Sequence, residues 1–182
     1  MDSSPGHRVA AHPAGARRVI PEPRRRWLAG GVLAGGWETD ERLQLEFFLR
    51  PLWIAAPLHV HPNQTERVRV VRGRLGVTTD DGRRIYRTGD TVEIPAGVRH
   101  TLWNAGLTTL RLVDEYRPPL RTAEWFDEMF TTHVHEPRRL RHVVADFDDV
   151  VRWRPSPIRA AAWIGAFAAV IGVALKLRRG RS

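Results

Sequence analysis

The stretch HVHPNQTERVRVVRG, His59 to Gly73, sets two histidines one residue apart and a glutamate five positions after the second. Imidazole nitrogens and a carboxylate oxygen together suit borderline and harder divalent cations. On a strand, residues two apart project from the same side, so His59 and His61 can address one ion. In ERVRVV, Glu66, Val68 and Val70 fall on one face, and Arg67, Arg69 and Val71 on the other. Glu66 therefore goes with the apolar face, where a carboxylate is costly unless it is paired or bound to a cation. The same spacing would also suit two ordinary histidines beside an acid. A second segment, GDTVEIPAGVRHTLWN (Gly89 to Asn104), bears on that choice. It makes two tight turns and opens a strand at His100, bringing a third imidazole from a separate element.

The elements that must hold these residues read as strands from about 27 to 117. LQLEFFLR (43–50) and PLWIAAPLHVH (51–61) are apolar and aromatic. RLGVTTDDGRRIYRTGD predicts a hairpin, with strands at 74–79 and 83–88 around a turn at Asp80–Gly82. TVEIPAG predicts a short strand ending at Pro95, and HTLWN and TTLRLVDEYRP predict two more. Many short strands with no long helix between them point to an antiparallel sandwich or barrel. After Pro118 the period changes. Trp125, Phe126, Met129 and Phe130 have helical spacing, with Thr122 as a candidate cap. LRHVVADFDDVV predicts a second helix, with Leu140, Val143, Val144, Phe147 and Val151 on one side.

On these residues the chain resembles the cupins. Their first motif is G-x5-H-x-H-x3,4-E-x6-G, matched here by His59, His61, Glu66 and Gly73. Their second is G-x5-P-x-G-x2-H-x3-N, matched at Gly89, Pro95, Gly97, His100 and Asn104. One position departs: the leading glycine of the first motif falls on Trp53. The resemblance spans roughly residues 40–117. It implies a mainly β, antiparallel double-stranded β-helix (jelly-roll barrel), here followed by C-terminal helices. It also implies a divalent metal ion (Fe, Mn, Ni, Zn or Cu) held by His59, His61, Glu66 and His100, a small-molecule substrate or ligand, and a homodimer. The chemistry expected from it is that of a metal-dependent oxygenase. The alternative is a non-catalytic metal-binding or small-ligand sensory module.

Other histidines read as bystanders. His133 and His135 repeat the H-x-H pattern at an expected helix end, where residues two apart do not face one another. They are expected to lie on the surface. His7 and His12 sit in a Pro-, Gly- and Arg-rich stretch, and His142 on a charged helix. Phe47, Phe48, Trp53, Tyr86, Leu102 and Trp103 could line a pocket, but each is expected to fill the barrel core.

The ends differ from the middle. Of 182 residues none is cysteine, which excludes disulfides and thiolate metal sites. The net charge of +9 sits in the ends. Residues 1–26 carry six Arg against two acids, and 150–182 carry seven basic residues and no acid. The middle has sixteen Arg against eighteen acids, so it offers no basic face for a specific nucleic-acid partner. Residues 1–26 are expected to be a disordered arm, 27–117 the barrel, 118–156 a helical extension, and 157–182 an apolar helix with a basic tail. Ala160–Leu175 runs without a charge. As a helix it would reach about 24 Å, short of a roughly 30 Å hydrocarbon core. Flanking Arg159 and Lys176 could extend it by snorkelling. The expectation is a membrane association through 160–177 with the barrel in the cytoplasm, and the alternative is a cytoplasmic chain whose apolar helix packs on the barrel or a partner.

Overall fold

The computed structural model describes residues 14–20, 26–28, 31–53, 58–135 and 140–153. Its strands are β1 (Arg17–Ile20), β2 (Arg26–Leu28), β3 (Gly31–Glu38), β4 (Leu43–Leu49), β5 (His59–Val60), β6 (Thr65–Arg72), β7 (Arg74–Thr79), β8 (Gly82–Arg87), β9 (Thr91–Ile94), β10 (His100–Asn104) and β11 (Leu110–Arg117). Two helices follow, α1 (Thr122–His135) and α2 (Leu140–Asp146), and then β12 (Arg152–Trp153). The larger sheet runs β1-β3-β4-β11-β6-β9 with β2 on β3, and the smaller runs β12-β5-β10-β7-β8. Every described pairing is antiparallel. This is the jelly-roll architecture expected from the sequence.

The two sheets close on one apolar cluster. Leu49, Val68, Val70, Ile94, Leu110 and Leu112 enter it from the larger sheet, and Leu75, Val77 and Leu102 from the smaller. Each follows from strict alternation: Val68 and Val70 are buried while Arg67 and Arg69, which alternate with them, are exposed. A fully buried Leu or Val contributes roughly 1.5–3 kcal/mol relative to exposure. Alternation also corrects the expected core. Leu102 is buried there, and Phe47, Trp53 and Tyr86 pack against it. Phe48, beside Phe47 on the same strand, must face out, and Arg111 lies over its ring. Trp103 likewise faces outward over Gly76, where an added Cβ would meet the indole at 2.1 Å.

Three further expectations change. Residues 17–20, inside the stretch read as an arm, form β1 and pair with β3. Val19 packs toward the core there, and Arg17 bonds Glu38 at 2.5 Å. Pro51–Trp53, read as part of a strand run, is a turn with Leu52 at φ 59° and 70% exposed. The helix expected through 151 stops at Asp146. Asp146, Asp148 and Asp149 cluster where the C-terminal dipole end disfavours negative charge. The chain turns instead, with Val150 and Val151 both donating to the Phe147 carbonyl. Val143, Phe147, Val150 and Val151 still bury together, with Trp125 and Met129 of α1. Among the described residues no helix is long and apolar enough to cross a membrane. Ala160–Leu175, for which membrane association is expected, lies outside the described residues.

Candidate metal centre

The site spans the gap between the sheets. His59 on β5, His61 just after it and His100 at the start of β10 come from the smaller sheet, and Glu66 on β6 from the larger. His100 pairs directly with His59 across β5 and β10. A backbone bond from Gly97 to the His61 carbonyl (2.8 Å) ties the two motif segments together. Gly97 has φ +80°, a conformation that side chains other than glycine's resist. The turn expected of a glycine at position 53 is made one residue earlier, by Leu52. Asn104 is structural: its side chain donates to the carbonyls of Leu49, Arg50 and Thr108 and accepts from Gly106.

All four expected residues converge. One potential ligand atom from each lies within 4.8 Å of the others, and all four side chains are 5% exposed or less. The imidazole centroids stand 4.3 to 5.7 Å apart. Glu66 Oε2 is 3.5 Å from His61 Nε2 and 2.5 Å from His100 Nε2. These are close contacts, yet Oε2 of Glu66 and Nε2 of His61 and His100 make no hydrogen bond of acceptable geometry. Buried polar atoms without partners are costly. Three such atoms aimed at one point fit a cation. Metal bonds of about 2.0–2.2 Å would put opposed ligands at most about 4.4 Å apart, close to the widest spacing of the cluster.

The other ring nitrogens are already used. His61 Nδ1 lies 2.7 Å from the Val150 carbonyl and His100 Nδ1 2.9 Å from the Val98 carbonyl. A carbonyl only accepts, so each Nδ1 donates and each neutral ring presents a bare Nε2 inward. Burial lowers the His61 pKa, outweighing the pull of Glu66. Burial acts the same way on His100, but the adjacent Glu66 overcomes it and raises His100. Burial alone would raise Glu66, yet His100, then His61 and His59, hold its carboxyl well below the usual range.

Two residues of the site are not among those the motifs point to. Asp114 and Tyr116 on β11 are 4% and 3% exposed, and the Tyr116 hydroxyl donates to Asp114 Oδ2 at 2.9 Å. Burial, then the charge of Glu66, pushes Asp114 well above the normal carboxyl range. Burial, then Asp114 and Glu66, does the same to the Tyr116 hydroxyl. The Tyr116 ring also meets the His61 ring edge-on at 5.2 Å. The sequence does carry a signal for them: Leu110, Leu112, Asp114 and Tyr116 alternate onto one face, and the first two are plainly core.

Thr122, expected to cap α1, is fully buried, and its hydroxyl accepts from Gln64 at 2.7 Å. Gln64 also donates to the Pro118 and Pro119 carbonyls and so pins the start of α1 to the site loop. His142 is exposed. The backbone of His133 and His135 lies in the last turn of α1. Their side chains, and His7 and His12, lie outside what is described. A separate cavity of about 220 Å³, lined by Gln44, Arg67, Arg69, Val113 and Glu115, opens on the outer face of the larger sheet, away from the histidines.

Residues 46–116 match the family model described as the cupin domain. Quercetin 2,3-dioxygenase of Bacillus subtilis (strain 168) is 34% identical over 70 residues, 38% of this chain and 21% of its own. Germin-like protein 3-5 of Oryza sativa subsp. japonica is 43% identical over 65 residues, 31% of this chain and 29% of its own. The chain thus spans under a third of the length of either curated relative. Among solved structures, KdgF from Halomonas sp. is 16% identical, covering 50% of this chain and 81% of its own, with a TM-score of 0.46.

Proposed function

From the premise that this chain carries a cupin domain, we propose that His59, His61, Glu66 and His100 bind one divalent metal ion and that the protein is a metal-dependent oxygenase of a small organic molecule. The observation that carries the metal reading is the convergence of four buried ligand atoms, three of them without a hydrogen bond. The oxygenase reading is supported by the stretch shared with quercetin 2,3-dioxygenase.

When bound, a divalent ion with three imidazoles and one carboxylate supplies a Lewis acid with open positions, able to polarise a substrate oxygen or activate dioxygen. The chain's own residues set the stage. The Val150 and Val98 carbonyls fix the His61 and His100 rings with Nε2 inward. Asp114 lies buried beside Glu66, whose charge adds to burial in pushing its carboxyl well above the ordinary range. Tyr116 packs on His61 and holds Asp114 in place.

Oxygen uptake by metal-loaded protein against a panel of small phenols and enols tests this reading. Uptake that disappears in Glu66→Gln supports it. The deep burial of all four ligands favours a second reading, a non-catalytic metal or ligand module. Stoichiometric metal without uptake on any substrate would establish that one. A homodimer and membrane association through 160–177 complete the proposal. Sedimentation tests the first, and carbonate extraction the second: full release into the soluble fraction would rule out the membrane association.

A further inference from the structure

The matched cupin region ends at residue 116, yet one imidazole of the site is oriented from well beyond it. After α2 the chain turns through 147–150 and adds β12 to the edge of the smaller sheet. β12 pairs with β5 itself, Arg152 opposite Val60 and Trp153 opposite His59. The turn delivers the Val150 carbonyl to His61 Nδ1 at 2.7 Å. So this one segment holds the backbone of one histidine and the ring of another.

Its attachment is specific. Arg121 donates to the Asp146 carbonyl at 2.9 Å and pairs with Asp149 at 2.7 Å. The same guanidinium lies 4.6 Å over the Phe147 ring. Asn63, in the loop between the ligands, donates to the Asp149 carbonyl at 3.2 Å. Val150 and Val151 are 0% and 1% exposed in the cluster with Trp125 and Met129.

We propose that residues 147–153 form a positioning strap: its docking on β5 locks the His61 ring in the ligating tautomer and tightens metal binding, and bound metal in turn holds the strap down. The inference rests on the metal site proposed above. The reciprocity is obligatory, because a factor by which docking raises metal affinity is the factor by which metal favours docking. The partner that orients a ligating imidazole typically changes metal affinity about 10- to 100-fold when lost.

The test uses the full chain, titrated with Co(II) and Zn(II). Arg121→Ala releases the turn from outside, and Phe147→Ala loosens it from within. Neither residue touches a ligand. Hydrogen exchange over 147–153 reports whether the strap has come loose. The expected result is Co(II) and Zn(II) binding about 10-fold weaker or more in whichever variant loosens the strap. An altered Co(II) visible spectrum should accompany it, a readout that general destabilisation would not move. In the unaltered protein, metal should slow exchange of the Val151–Trp153 amides. A loosened strap with unchanged affinity and spectrum overturns the proposal. So does exchange at 151–153 that is indifferent to metal. If the unaltered protein binds neither ion, the metal site itself falls and the strap with it. Equal binding by the unaltered protein and the loosened variants sinks the strap alone.

Discussion

The larger sheet buries two acids on each of its faces, and the two faces treat them oppositely. On the inner face, Glu66 and Asp114 lie together among three imidazoles, with no arginine among the described residues of the group. On the outer face, Glu46 and Glu115 are each 4% exposed but sit under arginines. Arg111 bonds Glu46 at 2.5 Å, and Arg117 and Arg42 approach Glu115, which also accepts from Gln44. Asp114 and Glu115 are neighbours in sequence and equally buried. Burial, then the charge of Glu66, pushes the inner one well above the ordinary carboxyl range. Burial alone therefore does not say what an acid does. A guanidinium neutralises the outer pair, whereas the inner pair has no fixed cation among the described residues, which is the condition a metal would satisfy.

Glu66→Gln should separate the two faces most strongly. It keeps the volume and removes the inner charge, so metal affinity should fall by about 100-fold or more, read by competition against a chromophoric chelator. Unchanged affinity would mean the inner face is not special. Asp114→Ala should weaken binding about tenfold, in line with the loss of a group that supports a ligand. Asp114→Asn should stay within about threefold, since the amide keeps the side chain's volume and can still accept from the Tyr116 hydroxyl. On the outer face the expected effect is on stability alone. Arg111→Ala strands Glu46 and should cost about 2 kcal/mol, a loss of several degrees in Tm, with metal affinity unmoved. Tyr116→Phe removes one hydroxyl and should shift affinity by about threefold or less. Falling pH acts on the inner face through its imidazoles. Three imidazoles must be neutral to bind metal, so affinity should drop as pH falls through the histidine range. Chelator competition from about pH 8 to about pH 5 would show it.

Most of the site is legible in the sequence because it is local. His59, His61 and Glu66 lie within eight positions, and alternation in ERVRVV is enough to turn Glu66 inward. The His100 segment, with Pro95 and Gly97 ahead of it, marks its own turn. Asp114 and Tyr116 are legible in principle from the alternation of β11, but an acid in a DEY run reads first as a strand end facing water. The strap is not legible. Its apolar spacing, Val143, Phe147, Val150 and Val151, suits a continuing helix as well as a turn that buries the same residues. Only a pairing of two residues with β5, some ninety positions earlier, decides between them. The same holds for β1, whose four residues gain their order from β3.

Everything above turns on whether the four converging ligand atoms hold a metal. The most direct measurement is the metal content of full-length protein, by elemental analysis after purification without chelator, beside His100→Ala prepared in parallel. The expected result is one divalent ion per chain in the first and its loss in the second. Protein without stoichiometric metal, or a His100→Ala variant with the same content, would contradict it.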